Sequence, residues 1–302
     1  MGNRGVDVSA PGKINLILRV LDRRADRYHN LYSVMQAFDL ADTIHTEEAP
    51  AAAGIRLSCE GAELSVGRDN LVYRAAEAVL LRLRPTAGVH IRLNKQLPIS
   101  AGVGGGSSDA AATIQALAVL FNTGWSREAM AGIGQELGSD VPFFFYGPSA
   151  LVEGRGERVT PLRIEGHRWL VLLNPGIAIA TSWAYQRLAD IRSRANPSAA
   201  DRRSPALPTN SPMNWDELLS LVENDFQSIA EETHPLLREL RLLLVARGAD
   251  AAMLCGSGST VVGVFSSEEK ARQAAEGIAC RPGLRIWVTR TSLRQDPPRV
   301  LN

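Results

Sequence analysis

Four glycines stand at positions 102, 104, 105 and 106, followed at once by Ser107, Ser108 and Asp109. Glycine tolerates positive φ and lets backbone N–H groups come close to an anion. Before the cluster, Val89 to Lys95 reads as a strand that runs on to about Leu97. Behind it, Ala110 to Phe121 carries Ile114, Leu117, Ala118 and Phe121 at helical spacing. A strand, a glycine loop and a helix N-terminus with unsatisfied N–H groups and a positive dipole end make a phosphate cradle. The segment Pro98, Ile99, Ser100, Ala101, Gly102, Val103, Gly104, Gly105, Gly106, Ser107 and Ser108 is therefore read as a nucleotide-phosphate site. The serine hydroxyls can donate to phosphate oxygens or help hold Mg²⁺. Without these neighbours, a glycine cluster is as readily a ligand-free turn.

Several phosphate-binding patterns are excluded. A P-loop needs Lys after its last glycine, where this chain has Ser107. A dinucleotide fingerprint needs a third glycine at that same place. The protein-kinase set is missing too: there is no His-Arg-Asp, and Asp225-Phe226 is followed by Gln227. Phosphoryl transfer also needs an acceptor base and a cation near the γ-phosphate. Any nearby Asp and Lys could serve, so residue types alone do not choose.

Elsewhere the chain reads as mixed α and β with no internal repeat. Val6 to Leu21 suggests two short strands around Ala10-Pro11-Gly12, and Asp42 to Thr46 another strand. Asp69 is the expected N-cap of a helix to about Arg84, and Ser126 the cap of a second that ends at Gly138 to Pro142. The character changes near residue 160. Trp169 to Asn174 reads as a buried strand, and Ile191 to Asn214 as a long surface insertion rich in Ser, Pro, Arg and Ala. Helices are expected over Trp215 to Ala230 and Pro235 to Arg247. A strand, tight loop and strand follow over Ala251 to Phe265. A capping box at Ser266 to Glu269 opens a helix, and Arg285 to Thr291 forms a last strand.

At 302 residues the chain has room for two modest domains. Its 33 Lys and Arg against 32 Asp and Glu give a net charge of +1, without the basic excess of a nucleic-acid binder. Cys59, Cys255 and Cys280 are far apart and odd in number, which fits reduced thiols better than zinc ligands or a disulfide framework. The first residues lack the apolar run of a signal peptide, and no apolar stretch approaches the roughly 20 residues that span a bilayer. A cytoplasmic protein without membrane or nucleic-acid partners is expected.

The glycine segment resembles the second motif of the GHMP kinases, the superfamily of galactokinase, homoserine kinase, mevalonate kinase and phosphomevalonate kinase. Ala10-Pro11-Gly12-Lys13-Ile14-Asn15 is similar to its first motif, and Gly256-Ser257-Gly258-Ser259 to its third. Ala25-Asp26-Arg27-Tyr28-His29 and Gly138-Ser139-Asp140-Val141-Pro142-Phe143 look like signatures of one branch. The acceptor of that branch is 4-diphosphocytidyl-2-C-methyl-D-erythritol, in the non-mevalonate isoprenoid pathway. The resemblance implies an α+β, two-domain fold. Its ribosomal-protein-S5-like N-terminal domain (residues 1–162) has a left-handed crossover and binds ATP. Its ferredoxin-like C-terminal domain spans residues 163–302, with a last strand that returns to the first domain.

It also implies an alcohol phosphotransferase acting on the 2-hydroxyl of that acceptor. ATP with Mg²⁺ would be the substrate complex, with no tightly bound cofactor, and the protein a monomer or dimer. Lys13 and Asp140 match the catalytic pair: Asp140 accepts the hydroxyl proton, and Lys13 orients it and offsets phosphoryl charge. Tyr28 and His29 match residues that grip the cytidine. Asn15 matches a residue lining the acceptor site, and Gly256, Ser257 and Gly258 a loop against phosphates and substrate. Arg27 stands where the branch has Gly, and Cys255 where Ser or Thr is usual. The insertion at 191–214 is longer than expected. Two other readings are a kinase of another small alcohol such as homoserine, and a non-catalytic binding protein on this fold. Tyr28-His29 argues against the first, and the intact Lys13 and Asp140 against the second.

Overall fold

A computed structural model describes residues 5–26, 28–194, 207, 209–278 and 281–301. Two long strands open the chain, β1 (Gly5–Arg23) and β2 (His29–Ala49), paired antiparallel along nearly their whole length. The expected pair of short strands around Pro11 is thus one strand. Pro11-Gly12 marks a register shift at which β2 carries the extra residues Asp39 and Leu40. A bulge absorbs the missing proline N–H and bends the ribbon without ending it. Gly12 is required there, because an added Cβ would collide with the ring of Phe38.

Next come β3 (Ile55–Glu60), α1 (Leu71–Leu83) and β4 (Gly88–Asn94), with β3 parallel to β4. The cap of α1 is Asn70, one residue beyond the expected Asp69; its side chain accepts from Val72 N at 2.9 Å. β4 stops at Asn94, short of Leu97. Helix α2 (Gly105–Leu120) begins inside the glycine cluster and not at Ala110. Only Gly102 and Gly104 of the four glycines have positive φ, so Gly105 and Gly106 are free to form the first turn. Then follow α3 (Arg127–Leu137), capped by Ser126, and α4 (Phe143–Tyr146), β5 (Ser149–Gly154) and β6 (Arg158–Pro161). β2 pairs with β4 along Thr43–Ala49 and with β5 along Leu31–Gln36, so this single strand carries two wings of the sheet.

A second sheet starts with β7 (Trp169–Asn174). Helix α5 (Thr181–Arg194) was not anticipated, and it takes in the first residues of the expected insertion. Residues 195–206 and 208 of that insertion lie outside the described residues, as do Arg27 and Cys280. The helix expected over Trp215 to Ala230 is broken into α6 (Trp215–Ser220), β8 (Glu223–Asn224) and α7 (Gln227–Thr233). β8 adds in parallel to β1. Then come α8 (Pro235–Ala246), β9 (Ala251–Leu254), β10 (Val261–Phe265), α9 (Glu268–Glu276) and β11 (Arg285–Arg290). The cap of α9 is Ser267, which accepts from Lys270 N, so the expected capping box on Ser266 does not form. β11 is not the last strand: β12 (Arg299–Leu301) pairs with β1.

The second sheet has the order β11-β7-β10-β9, all antiparallel. With helices after β7 and β10, this is the βαββαβ pattern of ferredoxin-like folds. One apolar core lies between the first sheet and α1, α2 and α3, and a second beneath α5, α7, α8 and α9. A third joins the two sheets, where Ile14, Leu16, Ile17 and Phe38 meet Leu170, Leu172, Val262 and Val264. Burying whole aliphatic side chains from both sheets, at about 1.5–3 kcal/mol each, holds the layers in fixed register. The cleft between them is therefore part of the fold. Among the described residues no helix is long and apolar enough to cross a membrane.

Candidate active site

A cavity of about 650 Å³ opens where β1, the glycine loop, the Asp140 turn, the start of α5 and the β9–β10 loop converge. Lys13, Asn15, the whole run Pro98 to Ser107, Asp140, and Gly256, Ser257 and Gly258 line it. Residues more than 240 positions apart in sequence thus share one wall.

Lys13 lies on β1 beside the bulge. Its own N–H donates to Val103 O at 2.8 Å, which laces the strand to the glycine loop. A Cβ on Gly104 would come 2.9 Å from Lys13 Cγ, so glycine there lets the lysine stem pass. The ammonium donates to Asn15 Oδ1 at 2.7 Å and lies 3.2 Å from Asp140 Oδ2. Asn15 Nδ2 donates to Ser33 Oγ at 2.8 Å, and Ser33 Oγ to Ile17 O at 2.8 Å. This relay fixes the asparagine amide so that its oxygen faces Lys13. The lysine side chain is 3% exposed and that of Asp140 31%. The ammonium is therefore a fixed internal charge, while the carboxylate faces the cleft. Asp140 sits on the turn between α3 and α4, held by Val141 N donating to Gly138 O at 3.3 Å.

The glycine loop and the β9–β10 loop lie back to back. Thr260 N donates to Ala101 O at 3.3 Å. A Cβ on Gly102 would strike Cys255 O, and one on Gly256 would come 2.9 Å from Gly102 O. Asn224 of β8 braces the second loop, with Nδ2 donating to Leu254 O and Gly256 O, both at 2.8 Å. The Cys255 thiol is buried in the inter-sheet core and does not line the cavity. Burial pushes it up to about 12, so it stays a neutral packing group in place of a hydroxyl.

Three expected site residues are not on the cavity wall. Ser108 is buried and borders a different cavity on the far face of α2; its Oγ has no partner among the described residues. Helix geometry explains this: a first turn that begins at Gly105 points Ser107 and Ser108 in different directions. Tyr28 stands outside the cavity at 54% exposure, with the Arg155 guanidinium carbon 5.1 Å from its ring centroid. His29 stacks on Tyr185 at 5.3 Å, and Tyr185 packs edge-on against Phe226 at 4.9 Å. Tyr185 and Phe226 do line the cavity, so an aromatic row leads from it to His29. Burial, with help from Arg23 and Arg192, holds His29 below its ordinary value and keeps the imidazole neutral.

Sequence reasoning missed Tyr185, Phe226 and Asn224, together with the buried cluster Asp42, Lys95 and Asp109. For Tyr185 a signal exists: Ala184 and Leu188, both buried, repeat at helical spacing behind Thr181. Thr181 Oγ1 lies 3.0 Å from Ser257 Oγ at the mouth of the same loop.

The GHMP kinases N-terminal domain family matches residues 70–148, and the GHMP kinases C-terminal family residues 205–283. The 4-diphosphocytidyl-2-C-methyl-D-erythritol kinase of Citrifermentans bemidjiense is 39% identical over 282 residues, covering 93% of this chain and 97% of the relative. That of Heliobacterium modesticaldum is 38% identical, covering 95% and 96%. A crystal structure of 4-(cytidine 5'-diphospho)-2C-methyl-D-erythritol kinase superposes with a TM-score of 0.76 at 32% identity, covering 95% of this chain and 99% of that one. With both halves of the family matched and relatives aligned end to end, the chain belongs to the GHMP kinases, in the family of the 4-diphosphocytidyl-2-C-methyl-D-erythritol kinases.

Proposed function

We propose that this protein transfers the γ-phosphoryl group of ATP to the 2-hydroxyl of 4-diphosphocytidyl-2-C-methyl-D-erythritol. The observation that carries the reading is the Lys13–Asp140 contact of 3.2 Å at the wall of a cavity lined by the glycine loop. The backbone N–H groups of the loop and of the first turn of α2 cradle the triphosphate. Asp140 accepts the hydroxyl proton as the substrate oxygen bonds to the γ-phosphorus, and ADP departs with the electrons of the broken phosphoanhydride bond. Lys13 keeps the carboxylate aimed at the acceptor and offsets charge on the equatorial oxygens. The aromatic row Phe226, Tyr185 and His29, with the exposed Tyr28 next in sequence, supports a cytidine end seated outside the phosphate cleft, since a ring face can stack on a pyrimidine.

The donor set fits Mg²⁺ carried in on the nucleotide. Ser107 and Asp140 both line the cavity, and among the described residues no group of three or more His, Cys, Asp and Glu could hold the ion alone. Mg²⁺ usually keeps several waters and combines one or two protein ligands with substrate phosphates. Bound there, it would neutralise charge on the transferring phosphate.

The test is ADP release by the purified protein with ATP, Mg²⁺ and a panel of alcohols, with the product identified by phosphorus NMR. Turnover of the cytidyl substrate alone is expected. Turnover of homoserine or mevalonate without it would remove the acceptor assignment, and turnover of nothing would favour a binding protein.

A further inference from the structure

A second lysine–carboxylate cluster lies behind the glycine loop, and the transfer chemistry above does not use it. Lys95, just after β4, is buried with its ammonium bonded to Asp42 of β2 and, at 2.8 Å, to Asp109 of α2. The other oxygen of Asp42 accepts from the backbone N–H groups of Gln96 at 2.6 Å and Leu97 at 2.8 Å. The Lys95 N–H donates to Glu60 O of β3 at 2.9 Å. Asp109 Oδ1 is buried with no partner among the described residues, although Asp109 and Lys95 both line the nucleotide cavity.

Connectivity gives the cluster its meaning. Gln96 and Leu97 lead directly into Pro98, where the glycine loop begins. Asp109 follows the first turn of α2, where that loop ends. One lysine and one aspartate therefore tie both limbs of the loop to β2. Lys95 Nζ would lie 3.4 Å from a Cβ on Gly105, beside the positive end of α2. A cation there opposes the helix dipole unless carboxylates accompany it. Two carboxylates around one ammonium leave one negative charge under the phosphate site unless a proton is held. Burial pushes Asp109 up to about 7, with Lys95 pulling it down and Asp42 pushing it up. Against the pull of burial, Asp109 and Asp42 hold Lys95 above its ordinary value. From β3, Cys59 also faces the cluster and feels Lys95, Asp109 and Asp42.

We propose that Asp42, Lys95 and Asp109 are positioning residues for the nucleotide: they clamp the two limbs of the glycine loop to the sheet and so hold its N–H groups in place for a polyphosphate. The inference rests on the reading that ATP binds this loop, and not on the identity of the acceptor.

Calorimetric binding of a non-hydrolysable ATP analogue with Mg²⁺ tests it. Lys95→Met, with its fold checked by circular dichroism and melting, should bind about tenfold more weakly. Asp109→Asn, which keeps the shape of the side chain but loses the ion pair with Lys95, should bind about threefold more weakly while staying folded. Wild-type affinity in a folded Lys95→Met or a folded Asp109→Asn would overturn the proposal. If Lys95→Met does not fold, the affinity of Asp109→Asn decides alone. Wild type that binds no nucleotide would overturn this inference and the kinase reading together. Failure of the acceptor assay alone leaves the binding affinities unchanged.

Discussion

Two lysine–carboxylate clusters flank adjacent glycines of one loop, and they differ in access. Lys13 lies against Gly104 and meets Asp140, whose side chain is 31% exposed to the cleft. Lys95 lies against Gly105 and meets Asp42 and Asp109, all three buried. The open pair leaves a carboxylate free to exchange a proton with a ligand. The closed cluster directs most of its hydrogen bonds to backbone N–H groups and to its own members, which suits it to hold a loop. The same residue types thus serve chemistry or architecture according to which carboxylate oxygen faces solvent.

The largest effect should come from the open pair. Asp140→Asn is expected to lower turnover by about 10² or more while nucleotide affinity stays within about twofold. Single-turnover kinetics beside calorimetry separate the two, and a wild-type rate would show that the open pair is not the chemical one. Next is the loop between the clusters. Gly102→Ala demands positive φ from alanine and drives its Cβ into Cys255 O, at a cost of about 2–4 kcal/mol. Denaturant unfolding measures it, and an unchanged midpoint would mean the two loops can move apart. Tyr28→Ala, remote from both clusters, should raise KM for the cytidyl substrate about five- to tenfold and leave KM for ATP alone. An unaltered KM for the cytidyl substrate would remove the stacking role.

The smallest effect separates the clusters by pH. Folded Asp109 keeps its proton to about 7, whereas its ordinary value is 3.8. Its protonated form therefore favours the folded state at acid pH, and that contribution is lost as pH rises through about 7. The melting temperature of Asp109→Asn should gain about 2 °C on that of wild type between pH 5 and 8. Parallel profiles would show that the closed cluster does not titrate in this range.

Sequence made the short-range parts of this molecule legible and hid the long-range ones. The cradle was visible because glycine freedom and helix spacing are local, yet the start of α2 was displaced to Ala110 because Gly105 and Gly106 read as loop. Pro11-Gly12 looked like a turn because the partner residues that make it a bulge, Asp39 and Leu40, lie nearly thirty positions away. Lys13 and Asp140 were paired through motif resemblance; nothing local marks Lys13 as facing Asp140. Lys95 and Asp109 were passed over because a lysine after a strand and an aspartate in a helix are ordinary surface residues by type. Only the packing of β2 against α2 buries them. Tyr185 was lost with the helix that carries it, since Trp183, Tyr185 and the charged residues after them blur its apolar face.

The back-to-back contact of the glycine loop with the β9–β10 loop has a consequence for how this site can vary. Backbone atoms at 102, 255 and 256 leave no room for a side chain on either side. Growth at one position is therefore not accommodated by trimming a neighbour, because there is no side chain left to trim. Variation in the family should fall on residues such as Cys255, whose side chain points into the core, while the glycines opposite it change together or not at all. The two loops come from distant parts of the sequence, but their contact should make them vary as a single unit.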